Sequence, residues 1–284
     1  MSQLMQMRQR IKTIETIEKI THAMRLIAMS SHTRLKSKQL TLKRYFQEIE
    51  ALFNKTRSFT RKWNHPLYRY YPYQPELIII IGSQKGLCGN FNTSIFNMCK
   101  QLIQHKQAIE CITVGRKAYD YAQSKLNIIP IMSFNSFSAQ NYLTSAEKIT
   151  SYIFNLEKSY SKITVVGSVA KSFFNQIPFV YTLFPLEQPT QQFAIEDTKY
   201  IWDEPPAILL NQLLKQYIIA QLSVWLFETL VAEQAARFLS MDTSTRNAKN
   251  ILETTQLLYN KLRQAKITKE LIEFASAINT EDPG

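Results

Sequence analysis

Residues 4 to 27 read LMQMRQRIKTIETIEKITHAMRLI, and the apolar side chains in this stretch recur at intervals of three and four residues. Such spacing lines the side chains along one narrow stripe of a helix, which must be buried against a partner helix. No glycine or proline occurs between Met1 and His65. The stripe consists of Leu4, Met7, Ile11, Ile14, Ile17, Ile20, Met24 and Ile27 and resumes, after a polar interruption, at Leu35, Leu42, Phe46, Ile49 and Phe53.

The other end of the chain has the same character, since neither glycine nor proline occurs between Ala207 and Asp282. Each terminal stripe is the simplest partner for the other, so the pattern predicts a coiled coil of helices over 1–62 and 207–279. Helices of these lengths, at about 1.5 Å per residue, would be longer than a globular protein of 33.1 kDa is wide, so part of the pair is expected to project as an interaction surface. The second stripe consists of Ile251, Thr255, Leu258, Leu262 and Ala265, then Leu271, Phe274 and Ile278.

The middle of the chain predicts an α/β domain with a Rossmann-like, mostly parallel sheet, over residues 75–200. Five of the six glycines and nine of the ten prolines lie between Pro66 and Pro206. Short apolar or β-branched runs that stop at a glycine are typical of buried parallel strands. They occupy residues 77–81, 111–114 and 163–166, with a further strand expected at 179–183 and crossover helices over 91–103 and 139–156.

Composition excludes several classes of protein. The most apolar terminal stretch, Tyr217 to Ala232, contains Gln221 and Glu228, so no segment approaches the roughly 20 apolar residues of a membrane span. No apolar region follows the basic residues of the first turns, which disfavours a signal peptide. Three cysteines without metal-ligand spacing indicate a reducing compartment and no structural zinc.

The charge of the chain is concentrated at its start. Residues 1–62 hold fourteen lysines and arginines against four glutamates, in a chain whose net charge is +12. This surplus favours an acidic partner, which could be nucleic acid, a membrane surface or an acidic protein lining, although a solvated helix face explains it as well. A basic coiled-coil nucleic-acid-binding protein therefore stays open as an alternative, although no aromatic residue except His32 lies between Arg25 and Arg44.

A glycine-rich turn, GSQKGLCG at residues 82–89, follows the first predicted strand. It matches neither GxGxxG nor a phosphate-binding Gly-Lys-Ser/Thr loop, so a Rossmann-type enzyme is disfavoured. The glycines are expected to permit a tight turn, and Cys88 is expected to be a packed side chain, not a nucleophile. The sequence predicts no cofactor, no metal and no catalytic residue.

Four separated motifs, in order, resemble the gamma subunit of F-type rotary ATP synthases, and the resemblance covers essentially the whole chain. Residues 20–28, ITHAMRLIA, are similar to the opening helix of that family, and GLCG at 86–89 followed by Phe91-Asn92 is similar to its loop. The third and fourth motifs resemble its C-terminal signature: EQAAR at 233–237 with Met241, and YNK, RQA and ITKEL between 259 and 271.

The resemblance implies a non-catalytic central stalk, present in one copy, that couples ion-driven rotation of a c ring to ATP synthesis or hydrolysis. In that family the terminal helices form an antiparallel left-handed coiled coil inside a ring of three alpha and three beta subunits. The α/β domain lies against the epsilon subunit and the c ring, and a delta subunit belongs to the same complex. The implied place is the cytoplasmic face of a bacterial plasma membrane, as a peripheral protein without nucleic acid.

The resemblance also implies three sets of contact residues. Contacts with beta-subunit loops are implied for Met24, Arg25, Arg237, Gln264, Thr268 and Glu270. An apolar tip turning in a sleeve is implied for Leu271, Phe274 and Ile278. The side towards epsilon and the c ring is implied for Lys85, Gly86, Leu87, Cys88, Gly89, Tyr200, Ile201 and Trp202. The chain departs from the family pattern at Gln84, Lys85, Asn90 and Ala277.

Overall fold

The computed structural model describes residues 2–58, 63, 65, 71–104, 108–155, 159–186 and 204–280. Two long helices precede and follow an α/β region in the chain, which confirms the predicted fold class. The residues cluster into two compact units, a smaller one of Met1–Ile27 with Phe238–Gly284 and a larger one of Ala28–Arg237. In chain order the elements are α1 (Ser2–Ser58), β1 (Glu76–Ile81), α2 (Phe91–Ile103), β2 (Ile109–Val114), α3 (Arg116–Lys125), β3 (Met132–Phe134), α4 (Tyr142–Phe154), β4 (Lys162–Ser172), β5 (Asn175–Phe184) and α5 (Pro206–Thr280).

The larger unit contains a five-stranded sheet in the order β3-β2-β1-β4-β5. Strands β1 to β4 pair in parallel, and β5 returns antiparallel to β4 at one edge. Residues Leu77 to Ile81 of the central strand are fully buried, as expected for a parallel strand covered on both faces. The order of strands reverses at β1, which has β2 on one side and β4 on the other.

The predicted strands all lie within observed ones, and α2 spans the predicted residues 91–103. Two elements were not predicted, α3 and the three-residue strand β3. Helix α3 buries only two small side chains, Ala118 and Ala122, so its apolar periodicity is weak. The structure thus adds elements whose burial depends on neighbours that are distant in sequence.

In the larger unit, α1 and α5 pack side by side in opposite directions. The ring of Phe53 stacks on that of Tyr217 with centroids 4.9 Å apart, and Lys43 Nζ forms an ion pair with Glu228. Phe53 and Tyr217 belong to the same buried apolar cluster as Leu35. Lower-numbered residues of α1 therefore meet higher-numbered residues of α5, which makes the pair antiparallel.

The smaller unit is also an antiparallel helix pair. Thr245 Oγ1 donates to Thr21 Oγ1 at 3.0 Å, and Arg25 Nη1 donates to Asp242 Oδ1 at 2.7 Å. Buried or half-buried positions alternate by three and four residues along both helices, as in a coiled-coil seam. On α1 they include Leu4, Met7, Ile11, Ile14, Glu18, Thr21 and Arg25, and on α5 Met241, Thr245, Ala248, Leu252, Thr255, Tyr259, Leu262 and Lys266.

Part of the predicted seam was wrong. Ile20 and Ile27 are 54% and 66% exposed, and so are other predicted seam residues: Ile17, Ile251, Leu258, Ala265, Leu271 and Phe274. On α1 the prediction placed Ile17 and Ile20 in the seam, three and six residues after Ile14. Regular alternation of four and three residues places the polar residues Glu18 and Thr21 there instead. On α5 the more apolar Leu258 was preferred to Tyr259, which occupies the seam. Polar side chains within the seam therefore misled a prediction based on hydrophobicity.

None of the described helices contains a stretch that is long and apolar enough to cross a membrane.

Candidate functional site

The loop between β1 and α2, residues 82–90, carries part of one predicted contact set and is held by a side chain at the start of α2. Asn92 Oδ1 accepts from the Ser83 N–H at 3.0 Å, and Asn92 Nδ2 donates to Ser83 Oγ at 2.8 Å. Leu87 and Gly89 adopt left-handed backbone conformations, with φ of 63° and 55°. Leu87 and Lys85 are exposed to solvent, so this fixed loop presents an apolar and a basic side chain outwards.

Cys88 points into the protein from the same loop. Its thiol is buried, and Asn92 Nδ2 lies 3.2 Å from Sγ. Burial raises the pKa of the Cys88 thiol, which keeps it protonated at neutral pH. The expectation of a packed side chain is therefore confirmed. Among the described residues, no cluster of histidine, cysteine or carboxylate side chains has the arrangement of a metal site.

A buried ion pair on α5 contacts the same loop, residues 82–90. Glu233 and Arg237 are only 3% and 8% exposed, and Arg237 Nη2 donates both to Glu233 Oε1 and to the Lys85 carbonyl oxygen, the latter at 3.2 Å. Burial raises the pKa of Glu233, while the charge of Arg237 and a backbone hydrogen bond from Gln84 oppose the rise. The guanidinium of Arg237 is thus already engaged within the larger unit, and its role towards a beta subunit stays a prediction.

Helix α5 also lies directly against the sheet next to this ion pair. A Cβ on Gly167 of β4 would lie 2.7 Å from Thr229 Oγ1, so only glycine permits this approach. The Ser168 N–H donates to the same Thr229 hydroxyl at 3.3 Å. The carboxyl-terminal side of the sheet is therefore covered by α5 at β4 as well as at the loop after β1.

A second polar cluster lies in the smaller unit, around Asp242. Its carboxylate accepts from Arg25 Nη1 at 2.7 Å and from Arg246 Nη2 at 2.6 Å. Arg25 Nη2 also lies 3.2 Å from His22 Nδ1, while Arg25 Nε is buried without a hydrogen-bond partner. Arg25 therefore joins the two helices of this chain, and the half-buried Met24 lies beside it. Contacts of either residue with a beta subunit remain predicted.

We expect the Asp242 cluster to make the smaller unit sensitive to acid. The hydrogen bond from Arg25, with further help from Arg246, holds the pKa of Asp242 below its ordinary value of 3.8. A carboxyl whose pKa is lowered by folding stabilises the protein above its unfolded pKa, and the stabilisation is lost as pH falls through the folded pKa. Asp242→Asn should therefore cost about 1 kcal/mol at neutral pH and little at pH 3.

Chemical denaturation at pH 7, 5 and 3 would measure this difference. A matched control is Glu253→Gln, since Glu253 is exposed on the same helix. An Asp242→Asn penalty that stayed constant from pH 7 to pH 3 would contradict the assigned ion pair.

The remaining predicted contacts lie near the end of α5. Gln264, Thr268 and Glu270 are exposed, and Glu270 pairs with Lys266 at 3.4 Å. Leu271 and Phe274 are apolar and largely exposed, as a tip that inserts into another chain would be. The side chain of Ile278, and all of Tyr200, Ile201 and Trp202, lie outside the described residues.

Comparisons with known proteins agree on one family. A family model described as ATP synthase matches residues 3–280. The ATP synthase gamma chain of Rickettsia typhi is 30% identical over 286 residues, which is 96% of this chain and 97% of that protein. The gamma chain of Buchnera aphidicola subsp. Melaphis rhois is 29% identical, covering 97% of both chains.

A solved structure shows the same fold. It comes from the central stalk and c-ring of the Tetrahymena thermophila mitochondrial ATP synthase, determined by cryo-electron microscopy. The TM-score is 0.60 at 20% sequence identity, and the match covers 79% of this chain and 98% of that chain.

Proposed function

The chain belongs to the ATP synthase gamma-chain family, the central stalk of the F-type enzyme, and we propose that it couples rotation to catalysis without performing chemistry itself. The observation that carries the proposal is the antiparallel pairing of the two chain ends. Thr21 bonds to Thr245 and Arg25 to Asp242, within a chain that matches the family model over nearly its whole length. Gln264 and Thr268, which we propose as contacts with a partner subunit, lie exposed on one of these helices.

Coupling of this kind shifts the populations of the conformations of a neighbouring subunit. A surface without a ligand changes the state of a neighbouring subunit only if it contacts one conformation of that subunit better than another. In our proposal the catalytic sites belong to beta subunits, and this chain contributes directional contacts such as the amide of Gln264. Its buried Cys88 thiol and internally bonded Glu233 and Arg237 serve the fold, not a reaction.

The proposed complex contains alpha, beta, epsilon and delta subunits and a c ring, with one copy of this chain. The chain would act as a peripheral protein at the cytoplasmic face of a bacterial membrane. We retain the division into a helix over 1–62, an α/β domain over 75–200 and a helix over 207–279 as part of this proposal. The comparisons offer no support for the nucleic-acid-binding alternative.

Substitution of Gln264 in the assembled complex tests the proposal. After co-expression with alpha, beta and epsilon subunits, Gln264→Ala should lower the rate of ATP hydrolysis about tenfold, the cost of about one hydrogen bond to a charged group. Gln256→Ala is the matched control, because Gln256 is an exposed glutamine on the same helix. It should leave the rate unchanged.

Two results would count against the proposal. Failure of the chain to co-purify with alpha and beta subunits would remove the stalk assignment. Equal rates for the Gln264→Ala and Gln256→Ala complexes would remove Gln264 from the contact set while leaving the assembly intact.

A further inference from the structure

The strand order of the larger unit reverses at one point, and related sheets bind ligands at such a point. In open parallel sheets, ligands bind beyond the carboxyl ends of the strands, where the strand order reverses. Here that point lies between β1 and β4. The loop of residues 82–90 follows β1 and leads directly into α2 at Phe91. Backbone N–H groups in such a loop, together with the start of the helix, favour an anion.

An acidic side chain of this chain already lies at this loop. Burial raises the pKa of the Glu233 carboxyl, which is nearly inaccessible to solvent, while Arg237, the Gln84 backbone N–H and the Lys85 charge favour its ionised form. Arg237 bridges this carboxylate and the Lys85 carbonyl oxygen. The oxygen atoms of Glu233 therefore accept from the loop backbone at Gln84 and from the Arg237 guanidinium.

The surrounding helix fills the rest of the crevice. Ala232 and Ala236 of α5 pack in the same buried cluster as Cys88 of the loop, Ile80 of β1 and Val166 of β4. Their small side chains allow α5 to lie close over both strands, as Gly167 does from the side of the sheet. No separate ligand is needed to complete the hydrogen bonds around Glu233.

We propose that the loop after β1 is an oxyanion site whose resident ligand is the Glu233 side chain of the same polypeptide. Arg237 is then a positioning residue that clamps the ligand to the Lys85 carbonyl. The inference goes beyond the proposed stalk function, since it concerns how α5 controls the conformation of the Lys85 and Leu87 surface. Removal of the carboxylate should leave a cationic cavity, bordered by Arg237 and Lys85, that accepts a small carboxylate or inorganic phosphate.

Chemical rescue in the full-length chain tests this inference. In Glu233→Ala, amide hydrogen exchange of a peptide covering residues 83–89 should become at least about tenfold faster, because the loop loses its internal ligand. Sodium formate should restore slow exchange, whereas sodium chloride at equal ionic strength should not. A peptide covering residues 145–153 of α4, a helix that packs in the other apolar cluster, provides the internal reference and should not change.

Glu228→Ala is the matched control, because Glu228 is also a buried, paired glutamate on α5. It should neither accelerate exchange at 83–89 nor respond to formate. If Glu233→Ala does not fold, Glu233→Gln retains the size and one acceptor oxygen. That variant should show a smaller acceleration, insensitive to formate, because the amide still fills the cavity.

Several outcomes would overturn the inference. They are unchanged exchange at 83–89 in Glu233→Ala, equal effects of formate and chloride, and a formate response in Glu233→Gln. All are measured on the isolated chain, so they leave the stalk assignment untouched. Conversely, failure to assemble with alpha and beta subunits would not affect the internal oxyanion site.

Discussion

Replacement of Arg237 by alanine is expected to lower the free energy of unfolding by about 3–5 kcal/mol, because it leaves a buried carboxylate without its partner. Glu233 has almost no contact with solvent, so it cannot be rehydrated without local unfolding. The loss should be larger at pH 8 than at pH 5, since protonation of Glu233 relieves the uncompensated charge. Urea denaturation of the full-length chain at both pH values would measure it.

Arg246→Ala provides the control for this prediction. Arg246 also pairs with a carboxylate four residues away, Asp242, but its side chain is 77% exposed. Its loss should cost less than about 1 kcal/mol. Equal destabilisation by the two arginine variants would contradict the burial of the Glu233 pair. A double variant, Glu233→Leu with Arg237→Met, should recover much of the stability, because buried ion pairs can be replaced by apolar groups of similar volume.

Phe227→Ala is expected to destabilise the larger unit by about 3–5 kcal/mol, the usual cost of removing a buried aromatic ring. Phe227 is fully buried on α5, and its ring lies edge-on to that of Tyr142 on α4 with centroids 5.0 Å apart. The vacated volume would be bordered by the packed helices, which cannot close it completely. Thermal and chemical denaturation would both report the loss.

Phe274→Ala is the corresponding control, since the same residue type on the same helix is 68% exposed. Its effect on the isolated chain should lie within about 0.5 kcal/mol. A loss below 1 kcal/mol at Phe227 would show that α5 does not bury this ring against α4.

The main elements of the fold were predictable because their signals are local. Runs such as Leu77 to Ile81 are apolar throughout, and the absence of glycine and proline from both ends indicates long helices. Helix α3 was not predictable in the same way, because its buried face consists of alanines. The antiparallel direction of β5 is set by its short turn from β4, not by its composition.

The proposed contact residues rest on a weaker sequence signal than the fold does. Exposed positions such as Gln264 and Thr268 came from the family resemblance, since a single polar residue on a helix carries no signal of its own. The Glu233–Arg237 pair was partly visible, because a carboxylate and an arginine four residues apart on a helix tend to meet. Its burial, and its contact with the Lys85 carbonyl, depend on the tertiary packing of α5 against the loop.

The Asp242 cluster was equally hard to predict from the sequence. Arg25 and Asp242 are separated by 217 positions, so no local pattern could pair them. Arg25 occupies a seam position without an apolar side chain, as Glu18 and Thr21 do, so a prediction from hydrophobicity turns to exposed isoleucines such as Ile20.

The bond between Thr21 and Thr245 joins residues 224 positions apart, which has a consequence during translation. At 5–20 residues per second, the ribosome needs roughly 10 to 45 seconds to make the second partner after the first. During that interval Ile11 and Ile14 of the nascent N-terminal segment have no α5 residues to pack against. Exposed apolar surface of this kind makes the emerging polypeptide prone to aggregation until α5 has been made.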